Sequence, residues 1–464
     1  MHIFSHIHPF NADLHTPVGI YLNLRNHYRK PVLLESNDYH SRVDSHSFIG
    51  LNPLVEISVS DTSITLQSIT ETLLIPFEST QSVTQQLVEI ISSIGFESPE
   101  IQHNGFFSYF GFEFGHFEET GIERLAGESD LPLAHLTLYE YLIVLDHFHD
   151  SGHIITNSFS DERPSLDELE LQLRKNAPES LPFSVTDEAV SNISDEIFLS
   201  MVDRAKHHIL RGDVFQLVVS RPFSQPFFGD DFEVYRQLRR LNPSPYLFYA
   251  DMESYRLMGS SPETQIQFKK GIASIHPIAG TVRKTGTEAH DLAAIYQLVH
   301  DEKENAEHTM LVDLARNDLS KYCGEVKVAA YKEVQQFSHV IHLVSKVIGR
   351  LNNHHPLQLF SGTFPAGTLS GTPKPKALEL LQQLEGDNRN YYGGAIGFLG
   401  IDGSVNLAIV IRSMLSKNNI LHFRAGAGIV LDSEPENELQ EVTNKLAALR
   451  RAISAAHSPQ FENA

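Results

Sequence analysis

The chain has one cysteine, no tryptophan and little positive charge: 36 Lys and Arg stand against 58 Asp and Glu, a formal net charge of -22 over 464 residues. Each shortage excludes something. The single thiol, Cys323 in KYCGEV, rules out an intramolecular disulfide framework and a cysteine zinc cage. With no glycine elbow and no paired histidine beside it, Cys323 reads as a buried structural thiol. Nucleic acid and anionic membranes are bound through clustered Lys and Arg, and no such cluster is present, so an anionic substrate must be met by individual residues. No apolar run approaches the ~18 to 20 residues of a membrane span, and the start MHIFSHIHPFNADLH has no basic segment followed by an apolar core. The expected location is the cytoplasm.

What is present is an ordinary globular composition, 41% hydrophobic, long enough for two domains or for one large domain with a subdomain. Up to about residue 157, short β-branched and aromatic runs such as PVLLES, LVEISVS, TSITLQS and AHLTLYEYLIVLDHF read as strands. A polar, acidic stretch from about Asp161 to Ser191 follows, and it divides an N-terminal region, 1–185, from a second region, 190–460. The second region opens with a helix, a Gly-Asp break and a strand, and the same order recurs where a second helix stops at the turn NPSPY before two hairpin-like strands. Near the end GGAIGFLGI, SVNLAIVIRSML and ILHFRAGAGIVL read as three strands joined by hairpin-length turns. The pattern is α+β, with antiparallel sheets and helices outside them.

Paired acids carry the first chemical signal. Glu304 and Glu307 stand one turn apart in DEKENAEHTMLVDLARND. Like charges at that spacing repel by ~0.2–0.5 kcal/mol on an exposed helix, so water, a basic neighbour or a metal must offset them. The last helical stretch, DSEPENELQEVTNKLAALRRAI, starts with Ser433 and Glu436 in capping-box register and Pro435 near its first turn. On it Glu438, Glu441 and Lys445 share one face. Either acid pair alone reads as a solvated helix face. Together they offer the oxygen donors of a hard cation such as Mg²⁺, which keeps several waters and binds an anionic substrate. The glycines of HPIAGT and RAGAGIV allow close backbone approach to a ligand. Arg412, flanked by apolar residues, is either an outward strand arginine or a bidentate carboxylate contact.

The segments GSSPE, HPIAGT, ENAEHTMLVDLARND, HVIHLVS, FPAGTLSGTPKPKA, YYGGAIGF, RAGAGIV and ENELQEVTNK resemble, in the same order, those of the chorismate-utilising enzymes, and among them the large subunits of anthranilate synthases. The resemblance is specific from about residue 190 to 455; before that it rests on LLES, 33–36. It implies an α+β fold whose antiparallel β-sheets form a sandwich-like core with helices packed outside. It also implies conversion of chorismate and ammonia to anthranilate and pyruvate with Mg²⁺, the first committed step of tryptophan biosynthesis, under feedback inhibition by tryptophan. By motif match Glu307 and Glu441 become the closest ligands of a Mg²⁺ ion on the chorismate ring carboxylate, with Glu304 and Glu438 supporting them directly or through water. Ala279, Gly280, Thr281, Tyr392, Arg412, Gly426, Ala427, Gly428 and Lys445 become substrate contacts, Arg412 on the enolpyruvyl carboxylate.

Two positions select among the reactions of this family. Gln216, in RGDVFQLVVSR, stands where water-adding members resemble one another in carrying a lysine base; an amide takes no proton near neutral pH, whereas ammonia needs no base. Ala279 stands where 4-amino-4-deoxychorismate synthases commonly carry a lysine that attacks the ring, and a methyl group cannot do so. Both point to direct addition of ammonia at C2. The resemblance makes Glu263 the general acid for departure of the C4 hydroxyl and His342 the base of the later pyruvate-releasing step, with His339 its near competitor. Cys323 lacks the setting of an amidotransferase nucleophile, so a separate glutamine amidotransferase subunit is the implied partner and free ammonia the fallback. The implied tryptophan pocket comprises Glu35 and Ser36 with Asn242 to Leu247, including Pro245 and Tyr246. A chain without tryptophan suits an enzyme needed when tryptophan is scarce, and equally arises by chance. Two other readings stay open: 4-amino-4-deoxychorismate synthesis, and a non-catalytic tryptophan-binding regulator, which should have lost the acids that are all present here.

Overall fold

The computed structural model describes residues 1–36, 45–98, 101–118, 131–175, 181–284, 286–336 and 340–457. Antiparallel pairing dominates, and it runs across the boundary read from the sequence: Val32–Ser36 pairs with Tyr246–Asp251, and Gly105–Phe110 with Ala395–Gly400.

Two long strands, His46–Val59 and Ala134–Asp146, pair along their whole length and serve both layers. Their ladder shifts register between Pro53 and Val55, because proline cannot donate to it. On one side of that break the ladder continues through Val32–Ser36, Tyr246–Asp251, Arg256–Ser261, Ser413–Lys417, Ile420–Ile429 and Gln216–Gly229. On the other it continues through Gly105–Phe110, Ala395–Gly400, Val405–Ile409, Thr264–Lys269, Ile272–Ile275 and Val340–Leu351. Val32, Phe248, Leu257 and Leu415 of the first layer meet Phe107, Tyr109, Ile396 and Ile409 of the second in one buried cluster. This is the expected sandwich, and each such buried side chain contributes ~1.5–3 kcal/mol.

The outer faces carry the helices. Asp195–Leu210, Phe232–Leu241 and Pro435–Ala456 cover the first layer, and Val83–Ser92, Glu302–Ser320 and Pro356–Thr363 cover the second. Asp301 caps Glu302–Ser320, accepting the Glu304 amide at 2.9 Å, so Glu304 lies in a first turn where the helix dipole favours negative charge. Cys323 is buried, and burial pushes its thiol up to about 11, which fits an inert structural role. Among the described residues no helix is long and apolar enough to cross a membrane.

Two sequence expectations fail locally. Pro435–Ala456 begins at Glu434 with no side-chain cap: the Ser433 hydroxyl instead accepts the Val430 amide at 3.1 Å, so the capping box with Glu436 does not form. The run SVNLAIVIRSML is two strands, Val405–Ile409 and Ser413–Lys417, broken at Arg412, whose φ of 47° no regular strand tolerates.

Candidate active site

The break at Arg412 has an architectural cause. Val405–Ile409 belongs to one layer and Ser413–Lys417 to the other, so Arg412 lies where the chain crosses between them. Arg256–Ser261 and Thr264–Lys269 make a second crossing, with Glu263 between them. The Ile409 amide donates to the Glu263 carbonyl at 3.0 Å, and the Ser260 amide to the Arg412 carbonyl at 3.1 Å, so the crossings are laced together. A sheet crossing gives both side chains positions that a continuous ladder would have denied them.

Desolvation pushes the Glu263 carboxyl up to about 7, against the pull of the Thr368 hydroxyl, which donates to it at 2.9 Å, and of the nearby cations Lys445 and Arg412. It is therefore protonated over much of the neutral range, as a general acid must be. Burial lowers the Arg412 guanidinium from its ordinary value, with Glu263 partly restoring it. Among the described residues Arg412 makes no side-chain hydrogen bond or ion pair. A desolvated guanidinium of that kind favours a carboxylate ligand.

His342 lies on the strand Val340–Leu351 opposite HPIAGT. Its Nδ1 is 3.0 Å from the Gly280 carbonyl oxygen. Burial lowers its pKa, the Gly280 bond opposes that, and Arg412 adds to it. Gly280 has a φ of 69° and stands at a register shift between Ala279 and Thr281. A Cβ there would strike Leu298 at 2.4 Å and approach Glu304 Oε2 at 3.3 Å. The backbone of Ala279 and Thr281 is in this strand; their side chains, and His339, lie outside the described residues.

The opposite wall comes from the last strand and the last helix. Gly426, Ala427 and Gly428 pair with Ser220, Val219 and Val218. Lys445 Nζ donates to the Gly426 carbonyl at 2.9 Å and pairs with Glu441 at 2.6 Å, both side chains nearly half exposed. A Cβ on Gly428 would lie 2.8 Å from Gln216 Nε2. Gln216 is buried, and its Oε1 has no hydrogen-bond partner. Tyr392 is buried, and burial keeps its phenol neutral.

The two acid pairs stand on separate helices. Glu304 and Glu307 are part-buried; Glu438 is buried and Glu441 exposed. Among the described residues no three Asp, Glu, His or Cys side chains gather closely enough to hold a metal ion. The donors are nonetheless hard carboxylate oxygens in pairs, and Glu304 turns toward the Gly280 backbone. That set fits a cation that completes its shell with water and an anionic substrate.

The residues read as a second pocket are also brought together. Glu35 lies directly opposite Leu247, and Ser36 opposite Tyr246. The buried Glu35 carboxylate accepts from Tyr235 Oη at 2.6 Å and from Arg239 Nε at 2.8 and 3.0 Å. Asn242 Nδ2 donates to Ser260 Oγ at 3.2 Å, and Pro245 is part-buried. Tyr246 Oη bonds Thr264 at 2.8 Å and Asn406 at 3.2 Å, and Leu247 is fully buried.

Several residues in this framework escaped the sequence reading. Tyr235 and Arg239 are four apart, hence on one helix face, which was the available signal. Thr368 was inside a quoted segment without a role. Arg389 is a hub: buried, it donates to the carbonyls of Leu369 and Val218, pairs with Glu385, and stacks on Phe112. It ties the Gln216 strand to the Thr368 segment. Nothing local in GDNRNYYGG shows those distant partners.

Comparison with known proteins gives a consistent answer. Residues 29–451 match the chorismate binding enzyme family. The chain is 36% identical over 466 residues to anthranilate synthase component 1 of Neisseria meningitidis serogroup A, covering 95% of this chain and 93% of that protein. It superposes on the crystal structure of anthranilate synthase component I from Streptococcus pneumoniae TIGR4 with a TM-score of 0.76 at 32% identity, covering 95% of this chain and 98% of that one. The menaquinone-specific isochorismate synthase of Escherichia coli shares the fold, with a TM-score of 0.74 at 19% identity, covering 97% of this chain and 94% of that one.

Proposed function

The chain belongs to the chorismate binding enzymes and acts on chorismate, and we propose that it is the large subunit of an anthranilate synthase that joins ammonia to C2 of chorismate and releases pyruvate. The observation that carries this reading is the pairing of a desolvated Arg412 with a protonatable Glu263 at two adjacent layer crossings. A carboxylated substrate held by Arg412 places its leaving hydroxyl within reach of an acid.

Glu263 gives its proton to the C4 hydroxyl, which leaves as water while ammonia adds at C2 and the ring double bonds shift. The nitrogen then loses one proton. Nε2 of His342 next takes the C2 proton, the C3–O bond breaks with its electron pair on the oxygen, and the enolate leaves an aromatic ring and gains a proton at its methylene carbon to become pyruvate. Gln216 favours ammonia over water, since its amide offers an acceptor to an N–H donor and no base to a water molecule. Tyr392 and the glycines Gly280, Gly426 and Gly428 shape the ring site, with Ala427 between the last two; Ala279 and Thr281 complete it. Lys445 adds positive potential facing the substrate anion.

Mg²⁺ would be held by Glu304 and Glu307 on one side and Glu438 and Glu441 on the other, and when bound it neutralises the ring carboxylate. The cluster of Glu35, Ser36, Asn242, Pro245, Tyr246 and Leu247 would bind tryptophan as feedback inhibitor. A glutamine amidotransferase subunit would supply the ammonia. The test is turnover with ammonium as nitrogen source, followed by product fluorescence and mass: anthranilate with one pyruvate supports the reading, and isochorismate or a non-aromatic amine overturns it.

A further inference from the structure

Behind Glu263 lies a small, partly open cavity of about 40 Å³ that shares Glu263 and Thr368 with the active site, while Arg412, His342 and Lys445 are not among its walls. Its other walls include Gln265, Leu311, Ala315, Asp318 and Thr363. Gln265 is only 3% exposed, and its Oε1 has no hydrogen-bond partner. Its Nε2 makes only a long contact, 3.4 Å, to the Thr363 carbonyl. A buried acceptor without a donor is costly, and an apolar residue of the same shape would remove the cost. A glutamine here is explained by something that donates to it from the cavity.

The far wall supplies a route outward. Asp318, 7% exposed, pairs with Lys374 at 3.3 Å, and Lys374 also donates to the Thr363 carbonyl at 2.7 Å. The other oxygen of Asp318 is 3.8 Å from Lys321, whose side chain is half exposed. Asp318, Gln265 and Glu263 thus share the walls of one cavity, and Asp318 reaches toward the surface at Lys321. About 40 Å³ is room enough for water beside Glu263, Gln265 and Asp318, while apolar side chains form most of the remaining wall.

We propose that this cavity is a water-filled passage that takes away the water formed at C4 and returns a proton to Glu263, with Gln265 as its positioning residue and Asp318 as the relay nearer the surface. The proposal rests on Glu263 acting as the general acid. In each turnover the Glu263 carboxyl loses one proton to the departing hydroxyl, the C–O electron pair goes to that oxygen, and one water forms. The carboxylate must then regain one proton from solvent, along a path that the bound substrate does not block. Neither Asp318 nor Lys374 has another task in the mechanism above, although their segments also carry Glu304, Glu307 and Thr368.

Gln265→Leu and Ala315→Leu test the passage, the first by removing the acceptor and the second by filling the space. Anthranilate formation by the wild-type chain is measured first; its absence overturns the assigned function itself. With it present, the passage predicts that Gln265→Leu melts no lower than wild type, keeps its KM for chorismate within about twofold, and loses kcat by about tenfold or more. It further predicts a larger solvent deuterium isotope effect on kcat and partial rescue by imidazolium buffer. Ala315→Leu should show the same loss of kcat and rise in isotope effect, and it decides the matter if Gln265→Leu fails to fold. Wild-type kcat and isotope effect in both variants, or in Ala315→Leu alone when the other does not fold, would overturn the passage and leave the function standing.

Discussion

Nδ1 of His342 lies 3.0 Å from the carbonyl oxygen of Gly280, at the register shift of the ladder between Ile278–Arg283 and Val340–Leu351. A carbonyl only accepts, so Nδ1 carries the hydrogen and the neutral ring presents its lone pair at Nε2. Burial, reinforced by Arg412, holds the imidazole below its usual 6.5, which keeps the base neutral at physiological pH. His342→Gln should therefore slow pyruvate release by ~10²–10⁴-fold and accumulate an aminated, non-fluorescent compound that retains the enolpyruvyl group. Mass spectrometry of the quenched reaction detects it; anthranilate and pyruvate at the wild-type rate would remove His342 from the mechanism.

Glu263 predicts opposite pH trends for activity and for a variant's stability. The acid must be protonated, so the amination rate should fall as pH rises through about 7. Its folded value lies above its unfolded one, so its stabilising contribution is full below about 4.5 and is lost as pH rises through about 7. Glu263→Gln should accordingly be inactive yet melt higher than wild type at pH 8, with no such advantage near pH 4. Calorimetry at the two pH values reads the sign directly.

Metal dependence follows from the acid pairs. Chelation should abolish turnover, and added Mg²⁺ should restore it. Glu441→Gln and Glu304→Gln should each raise the Mg²⁺ needed for half-maximal rate by about tenfold or more, the range expected for disturbing a metal site. Because Glu441 is held 2.6 Å from Lys445, metal binding must compete with an ammonium. Lys445→Met should tighten Mg²⁺ while weakening chorismate. Full activity in the presence of chelator would end this assignment.

The Glu35 carboxylate is engaged by Tyr235 and Arg239, so a ligand ammonium must join an existing network. Glu35→Gln should keep kcat and raise the tryptophan concentration for half inhibition by ~5–150-fold, a coupling of 1–3 kcal/mol. Titration of the rate with tryptophan measures it. Equal inhibition of variant and wild type would place the regulatory ligand elsewhere.

The α+β class, the acid-bearing helices and the strand-turn-strand order around NPSPY were legible because each depends on local periodicity and turn chemistry. The register that sets Glu35 against Leu247 joins residues over 200 positions apart, and only the family likeness of LLES and NPSPY paired them. Arg412 shows the limit of periodicity. Its apolar neighbours read as one strand, but the two halves serve different layers, and that requirement comes from the tertiary fold. Arg389 was unreadable for the same reason, since its carbonyl partners lie on the Gln216 strand and the Thr368 segment. The failed capping box was a competition between two nearby acceptor uses of Ser433, decided by the turn that precedes the helix.

Amination of chorismate at C2 with loss of pyruvate is tested by supplying ¹⁵N-ammonium to the purified chain with chorismate and Mg²⁺ and locating the label by NMR. Addition at C2 puts ¹⁵N on the ring carbon next to the one bearing the carboxylate, in an aromatic product, with one pyruvate released per label. Label at C4, or an unlabelled product hydroxylated at C2, would contradict it.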